Sequence, residues 1–306
     1  MTWAERVAVA ALGGLVLSGC GRDADPPAGA IPNEQRQRVL LFWQRLGAAT
    51  DARIAGDCAR ARDLYLEALR LDPKHEDSLY YLGQCCRNLK QPAEARRAFE
   101  GLVELNPASA RGHLALGALL ASPDPEEPLD LGTAETHLRR AHEINGEETG
   151  PMVRLGEVLI AGGHTEEGRT WLEAAARTNP KSVEAAFLLG YLRWEAGDRR
   201  GANAHLQRAA MAARTDAPTK GVLGEGDRKA ASAAGPTRAA PPLREPMGRT
   251  LFSELAMPLR SSDGQTVLAT ADSLYRAVGQ AKRAIAGRRV LWPLASASPQ
   301  LPSEAR

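Results

Sequence analysis

Leu-Gly pairs recur along this 306-residue chain at Leu82-Gly83, Leu116-Gly117, Leu155-Gly156 and Leu189-Gly190, at spacings of 34, 39 and 34 residues. A period of that length marks a solenoid of stacked helical hairpins, in which no unit buries its apolar face alone and each closes on its neighbour. The same feature bounds function, because stacked repeats present a long continuous surface to other molecules.

Further columns hold the same register. Ala61, Ala95, Ala134, Gly168 and Ala202 form the first, followed four residues on by Tyr65, Phe99, Leu138, Leu172 and Leu206. Ala68, Leu102, Ala141, Ala175 and Ala209 come next, and Pro73, Pro107, Gly146, Pro180 and Arg214 close the units. Small, large and small residues at i, i+4 and i+7 lie on one stripe of a helix. The small ones admit a neighbouring helix and the large one fills the gap. The closing proline stops the second helix. Gly56-Asp57, Gly163-His164 and Gly197-Asp198 punctuate the turn inside a unit.

In these columns the chain resembles the tetratricopeptide repeat (TPR) family, whose consensus has the same Leu-Gly, Ala, aromatic, Ala, Pro order. The resemblance covers residues 42–214 as about five units and implies an all-α fold, a helical-hairpin solenoid. The first unit has Ala48-Ala49 in place of Leu-Gly and the last ends in Arg214, as suits terminal repeats with one face uncovered. The third unit is longer, through residues 122–132, which hold three prolines and the acidic Asp124, Glu126, Glu127 and Asp130. That stretch lacks the spacing of a calcium loop and reads as a solvated connector.

The N-terminus reads as a targeting segment. An apolar run over residues 7–17 precedes Leu17-Ser18-Gly19-Cys20 and is too short for a spanning helix. It resembles a bacterial lipobox. The resemblance implies a signal peptide over residues 1–19, lipid modification of Cys20 and a tether over residues 20–41. It places the mature chain in the cell envelope facing the periplasm. Gly21, where aspartate often marks inner-membrane retention, favours the outer membrane.

Cys58, Cys85 and Cys86 are the other cysteines. Cys58 begins the second helix of unit one, and the pair ends the first helix of unit two. Antiparallel neighbours bring those ends together. The geometry therefore allows a disulfide from Cys58 to Cys85 or Cys86 in an oxidising compartment, or three small buried thiols.

Beyond Arg214 the repeat stops. Residues 215–246, rich in Ala, Gly, Pro and charge, read as a linker. Residues 247–290 read as a C-terminal helical segment, with Val267, Ala271, Leu274, Val278 and Ile285 on one face, and residues 291–306 as a disordered tail. That helix can cap the solenoid, lie on anionic lipid or dock on a partner. Residues 215–306 carry 13 Lys and Arg against 8 Asp and Glu, without the aromatic interleaving of a nucleic-acid surface.

The residues point to no catalysis and no cofactor. His142-Glu143 opens like a zinc-protease motif, but Gly146 stands where its second histidine belongs. The six histidines show no metal-ligand spacing, no Gly-x-Ser-x-Gly elbow occurs, and the glycines of residues 221–226 lack the order of a phosphate loop.

The TPR resemblance assigns the concave face to the first helix of each unit. It lines that face with Tyr80, Gln84 and Arg87, then Leu114, then Val153, Glu157 and Ile160, then Phe187, Tyr191 and Trp194. The last three form an aromatic stripe suited to a docked peptide or helix, or to packing against the following helix or the tail. Tyr80 and Gln84 replace the basic and amide residues of a C-terminal carboxylate clamp. The resulting expectation is an envelope-anchored adaptor or assembly scaffold that binds a protein partner. The alternative is a glycan- or peptidoglycan-binding subunit of an envelope machine.

Overall fold

The computed structural model describes residues 33–122, 129–215, 252, 255–256, 259 and 268–286. The backbone divides into two compact units, residues 1–40 and 41–306. In the first, residues 33–40 are helical and exposed, the opening turns of α1 (Asn33–Ile54). The second holds the rest of α1 and ten further helices among its described residues. These begin with α2 (Cys58–Leu71), α3 (Glu76–Asn88), α4 (Pro92–Leu105), α5 (Ala110–Leu120) and α6 (Leu131–Ile144). They continue with α7 (Thr149–Ala161), α8 (Thr165–Thr178), α9 (Val183–Glu195), α10 (Arg199–Thr215) and α11 (Ala271–Ala286). Helices α3–α10 form four hairpins, the second to fifth units after α1 and α2, that stack in chain order into a TPR-type solenoid. Before them α2 packs on α3, and Arg45 of α1 pairs with Glu67 of α2 at 3.1 Å.

Local chemistry sets the helix boundaries, and it repeats. Asp72, Asn106 and Asn179 each end a second helix and accept, through Oδ1, the amide two residues on, at 3.1, 3.0 and 3.0 Å. These turns need a short side-chain acceptor followed by proline. Three residues later His75, Ser109 and Ser182 cap the next first helix by accepting the amides of Ser78, Gly112 and Ala185. Inside a hairpin the turn needs a left-handed residue. Gly56, Gly163 and Gly197 supply it at φ of 83, 90 and 84°, and Lys90 takes the same place in the second hairpin at 59°.

The columns seen in the sequence are the core. Tyr65, Phe99, Leu138, Leu172 and Leu206 are fully buried, as are Ala61, Ala95, Ala134 and Ala202. Full burial of one such large side chain contributes roughly 1.5–3 kcal/mol. The glycine of each Leu-Gly pair is where two helices touch. A Cβ at Gly117 would meet Leu138 Cγ at 2.8 Å, and one at Gly156 would meet Leu172 Cγ at 2.7 Å.

Helix α11 does not stack on the open end of the solenoid. It lies against α7 and α9, the first helices of the fourth and fifth hairpins. Phe252, Ala256 and Leu259 join the same hydrophobic core as Tyr275, Val278 and Ile285.

Candidate functional site: the concave groove

The first helices α3, α5, α7 and α9 line one side of the solenoid, and its two halves differ. In the second and third hairpins the lining is half-buried and polar. Gln84 Nε2 donates to Tyr80 Oη at 2.8 Å, and Arg87 donates in turn to Gln84 Oε1. The Arg111 guanidinium lies 4.9 Å from the centre of the Tyr80 ring and pairs with Asp77. Leu114 sits half-buried beyond it.

In the fourth and fifth hairpins the lining is covered. Every residue of α7 from Pro151 to Ala161 is buried, which requires a partner on each face of that helix. Val153, Glu157, Ile160, Phe187 and Tyr191 are therefore inaccessible, and Trp194 is half-buried. Glu157 pairs with Arg154 at 2.5 Å in this interior.

The cover is α11. The Tyr275 ring is fully buried, with its centre 5.5 Å from Phe187, 6.2 Å from Trp194 and 6.4 Å from Tyr191. Its hydroxyl donates to the Ala202 carbonyl at 3.3 Å and occupies the space a side chain at Gly190 would need. Burial pushes its pKa above the ordinary tyrosine value. Polar contacts flank the ring. Asp272 accepts from Trp194 Nε1 at 2.6 Å and pairs with Arg199 at 2.9 Å, while Lys282 pairs with Glu195 at 3.0 Å. Tyr191 Oη donates to the same Glu195 at 2.9 Å.

The aromatic stripe is thus brought together, but as a filled site. The apolar face read for α11 keeps Ala271, Val278 and Ile285 and gains Tyr275. Leu274 is half-buried and Tyr275 takes the interior with Ala271, Val278 and Ile285, while Val267 lies outside the described residues. Spacings of four, three and seven residues from Ala271 mark that face, and the polar hydroxyl of Tyr275 hides it in a sequence reading.

The three thiols are free in the structure. Cys85 is buried beside Cys58, and burial together with that neighbouring thiol pushes its pKa up to about 12. Cys86 points instead toward Glu94, with Sγ 3.8 Å from Oε2, so a disulfide from Cys58 would favour Cys85 on geometry. Cys20 and the acidic connector at residues 123–128 lie outside the described residues. Among the described residues no three His, Cys, Asp or Glu side chains gather as a metal site, and no helix is long and apolar enough to cross a membrane.

Buried histidines tie the solenoid to pH. His113 and His137 share a hydrogen bond between their Nδ1 atoms at 2.9 Å, and burial lowers the pKa of both. His205 is lowered to about 4, mainly by burial and then by Arg208 and Arg193, against the opposing Asp198. Unfolded, each histidine takes a proton below about pH 6.5. The unfolded chain therefore binds more protons than the folded one just below that pH, and stability is lost as pH falls. The thermal midpoint is expected to drop between about pH 6.5 and 4, and His205→Gln to flatten that slope in circular-dichroism melts. An unchanged slope in the variant would assign the dependence to other groups.

The repeat now has a match outside the chain. A family model described as tetratricopeptide repeat matches residues 46–110 and 153–218. The chain carries TPR repeats. Its TPR fold is similar to that of pilF of Pseudomonas aeruginosa, at 15% identity over 82% of this chain and 95% of that one, with a TM-score of 0.50. MamA is similar at 22% identity over 55% of this chain and 96% of that one, with a TM-score of 0.48. YrrB, described as a TPR protein with an unusual peptide-binding site, gives 22% identity over 56% and 86% of the two chains, with a TM-score of 0.44. No curated protein sequence matches the chain significantly. TPR repeats are generally a fold of protein interaction, and their partners are proteins or peptides.

Proposed function

We propose that this chain is an envelope-anchored TPR scaffold, held at the membrane by lipid on Cys20, that binds a protein partner through its concave groove. The observation that carries the reading is the occupant of the fourth and fifth hairpins. An amphipathic helix lies in the groove by an aromatic anchor flanked by charge pairs, which is how helix-in-groove recognition works. The second and third hairpins leave Tyr80, Gln84, Arg87 and Leu114 partly open to solvent, with hydrogen-bonding groups beside an aromatic ring. Such a surface suits a peptide segment.

A glycan ligand is the weaker reading, because the rings that would stack on sugar are covered by α11. One acyl chain anchors a protein only marginally, so stable attachment through Cys20 requires the multiple chains of a lipoprotein.

The test is crosslinking of the full chain in its native envelope, followed by capture and mass spectrometry. Cys20→Ser is expected to move the protein into the soluble fraction. Tyr80→Ala with Arg87→Ala is expected to lose a specific protein partner. Retention of Cys20→Ser in the membrane would sink the anchor. Capture of polysaccharide without protein would sink the scaffold reading.

A further inference from the structure

We infer that α11 is an exchangeable occupant of the groove, and that a partner protein enters by supplying an amphipathic helix with the same anchors. That helix carries a carboxylate, an aromatic residue three positions on and a cation ten positions on, as Asp272, Tyr275 and Lys282 do here. The inference rests on the groove reading above and adds how the site is regulated.

Three observations lead to it. The contacts of α11 divide into one deep anchor and a rim. Tyr275 is fully buried among three aromatic rings, whereas Asp272 and Arg199 remain more than half exposed. Rim pairs of that kind hold register more than they add stability. Next, helices α2–α10 are held in order by contacts between chain neighbours, so the stack does not depend on α11 for its order. Finally, departure of α11 uncovers the rings of Phe187 and Tyr191 together, because Tyr275 is what packs on both. A patch of that chemistry demands another apolar face in its place, which excludes a purely acidic or extended polar peptide.

The chain length between α10 and α11 bears on the exchange. Residues 216–251 separate α10 from Phe252, which is the first described residue to rejoin the core after α10. A segment of that length spans up to about 120 Å when extended. The resident helix therefore competes as an intramolecular ligand, and an entering helix binds with an affinity reduced by the fraction of molecules that are closed.

The experiment uses the full chain and a fluorescent synthetic peptide of residues 268–290 as the entering helix. In Asp272→Lys with Lys282→Glu, the rim of α11 repels Arg199 and Glu195 while the groove itself is unaltered. This variant is expected to bind the peptide about tenfold more tightly than the unaltered chain, because its open fraction rises. A peptide carrying Tyr275→Ala is expected to bind neither. Equal affinity for the two proteins, or binding that ignores Tyr275, overturns the inference.

Hydrogen exchange on the unaltered chain is the second measurement. Amides of α11 are expected to exchange at least tenfold faster than those of α7 and α9. Equal protection makes α11 a permanent part of the core and overturns the inference even if no peptide binds. A concentration-dependent dimer that the peptide dissolves would assign the groove to a second copy of the chain, and this also overturns it. Loss of peptide binding with partner capture intact would reject the exchange alone and leave the scaffold reading standing.

Discussion

Tyr275→Ala is expected to destabilise the protein by about 3 kcal/mol and to free α11 from the groove. The ring is fully buried and packs against Phe187, Tyr191 and Trp194, so its removal leaves a cavity lined by three aromatic faces. The Ala202 carbonyl also loses the hydroxyl that donates to it at 3.3 Å. The rim pairs cannot compensate, since exposed ion pairs each contribute at most about 1 kcal/mol. For a chain of this size the thermal midpoint should fall by about 6–12 °C. Tyr275→Phe keeps the ring, loses one hydrogen bond and should cost only about 1 kcal/mol. Thermal melts with an apolar dye separate the two substitutions, because release of α11 exposes the groove to the dye. Equal, small effects from both would mean that the ring is not what holds the helix.

Gly83→Val is expected to cost about 3 kcal/mol for the opposite reason, an excess of atoms. A Cβ at this position would lie 2.7 Å from Phe99 Cδ1 and Cζ, and the ring cannot retreat because it is fully buried. Valine gains little helix propensity over glycine to offset the clash. Solenoid stability is carried by interfaces between neighbours, so a defect in the second hairpin should also uncouple the first from the third and split the melt into two steps. Gly47→Ala is the control. No heavy atom outside its own helix lies within 4 Å of a Cβ there, and that substitution should stabilise α1 by about 0.5–1 kcal/mol. A neutral Gly83→Val would show that the hairpin yields around this contact.

The columns were legible in the sequence because each is written five times in contacts between chain neighbours. Ala61 through Ala202 and Tyr65 through Leu206 could be aligned by their spacing, and all those described at these positions are buried. The turn glycines and the closing Pro73, Pro107 and Pro180 act within a few residues of chain, so a local reading reached them too; the Asp72, Asn106 and Asn179 side chains that close the same turns came from the structure. The concave positions were also countable from the Leu-Gly pairs. Their accessibility was not. Phe187, Tyr191 and Trp194 have the same spacing whether they face solvent, a partner or the tail. For α11, the sequence showed an amphipathic helix, with Leu274 packed at the margin of its buried face, but left out Tyr275 at the centre of that face.

What the sequence determined by itself is the repeat and its register, since these depend on periodicity alone; the side of each hairpin that forms the groove came from the resemblance to TPR proteins. What only the tertiary structure decided is that half of the groove is already filled. That contact joins Trp194 to Asp272 and Glu195 to Lys282 across 78 and 87 residues. It occurs once, so no repeat marks its register. An apolar face states only that it must be covered, and the identity of its cover is set by shape, here the space above Gly190 that the Tyr275 hydroxyl fills.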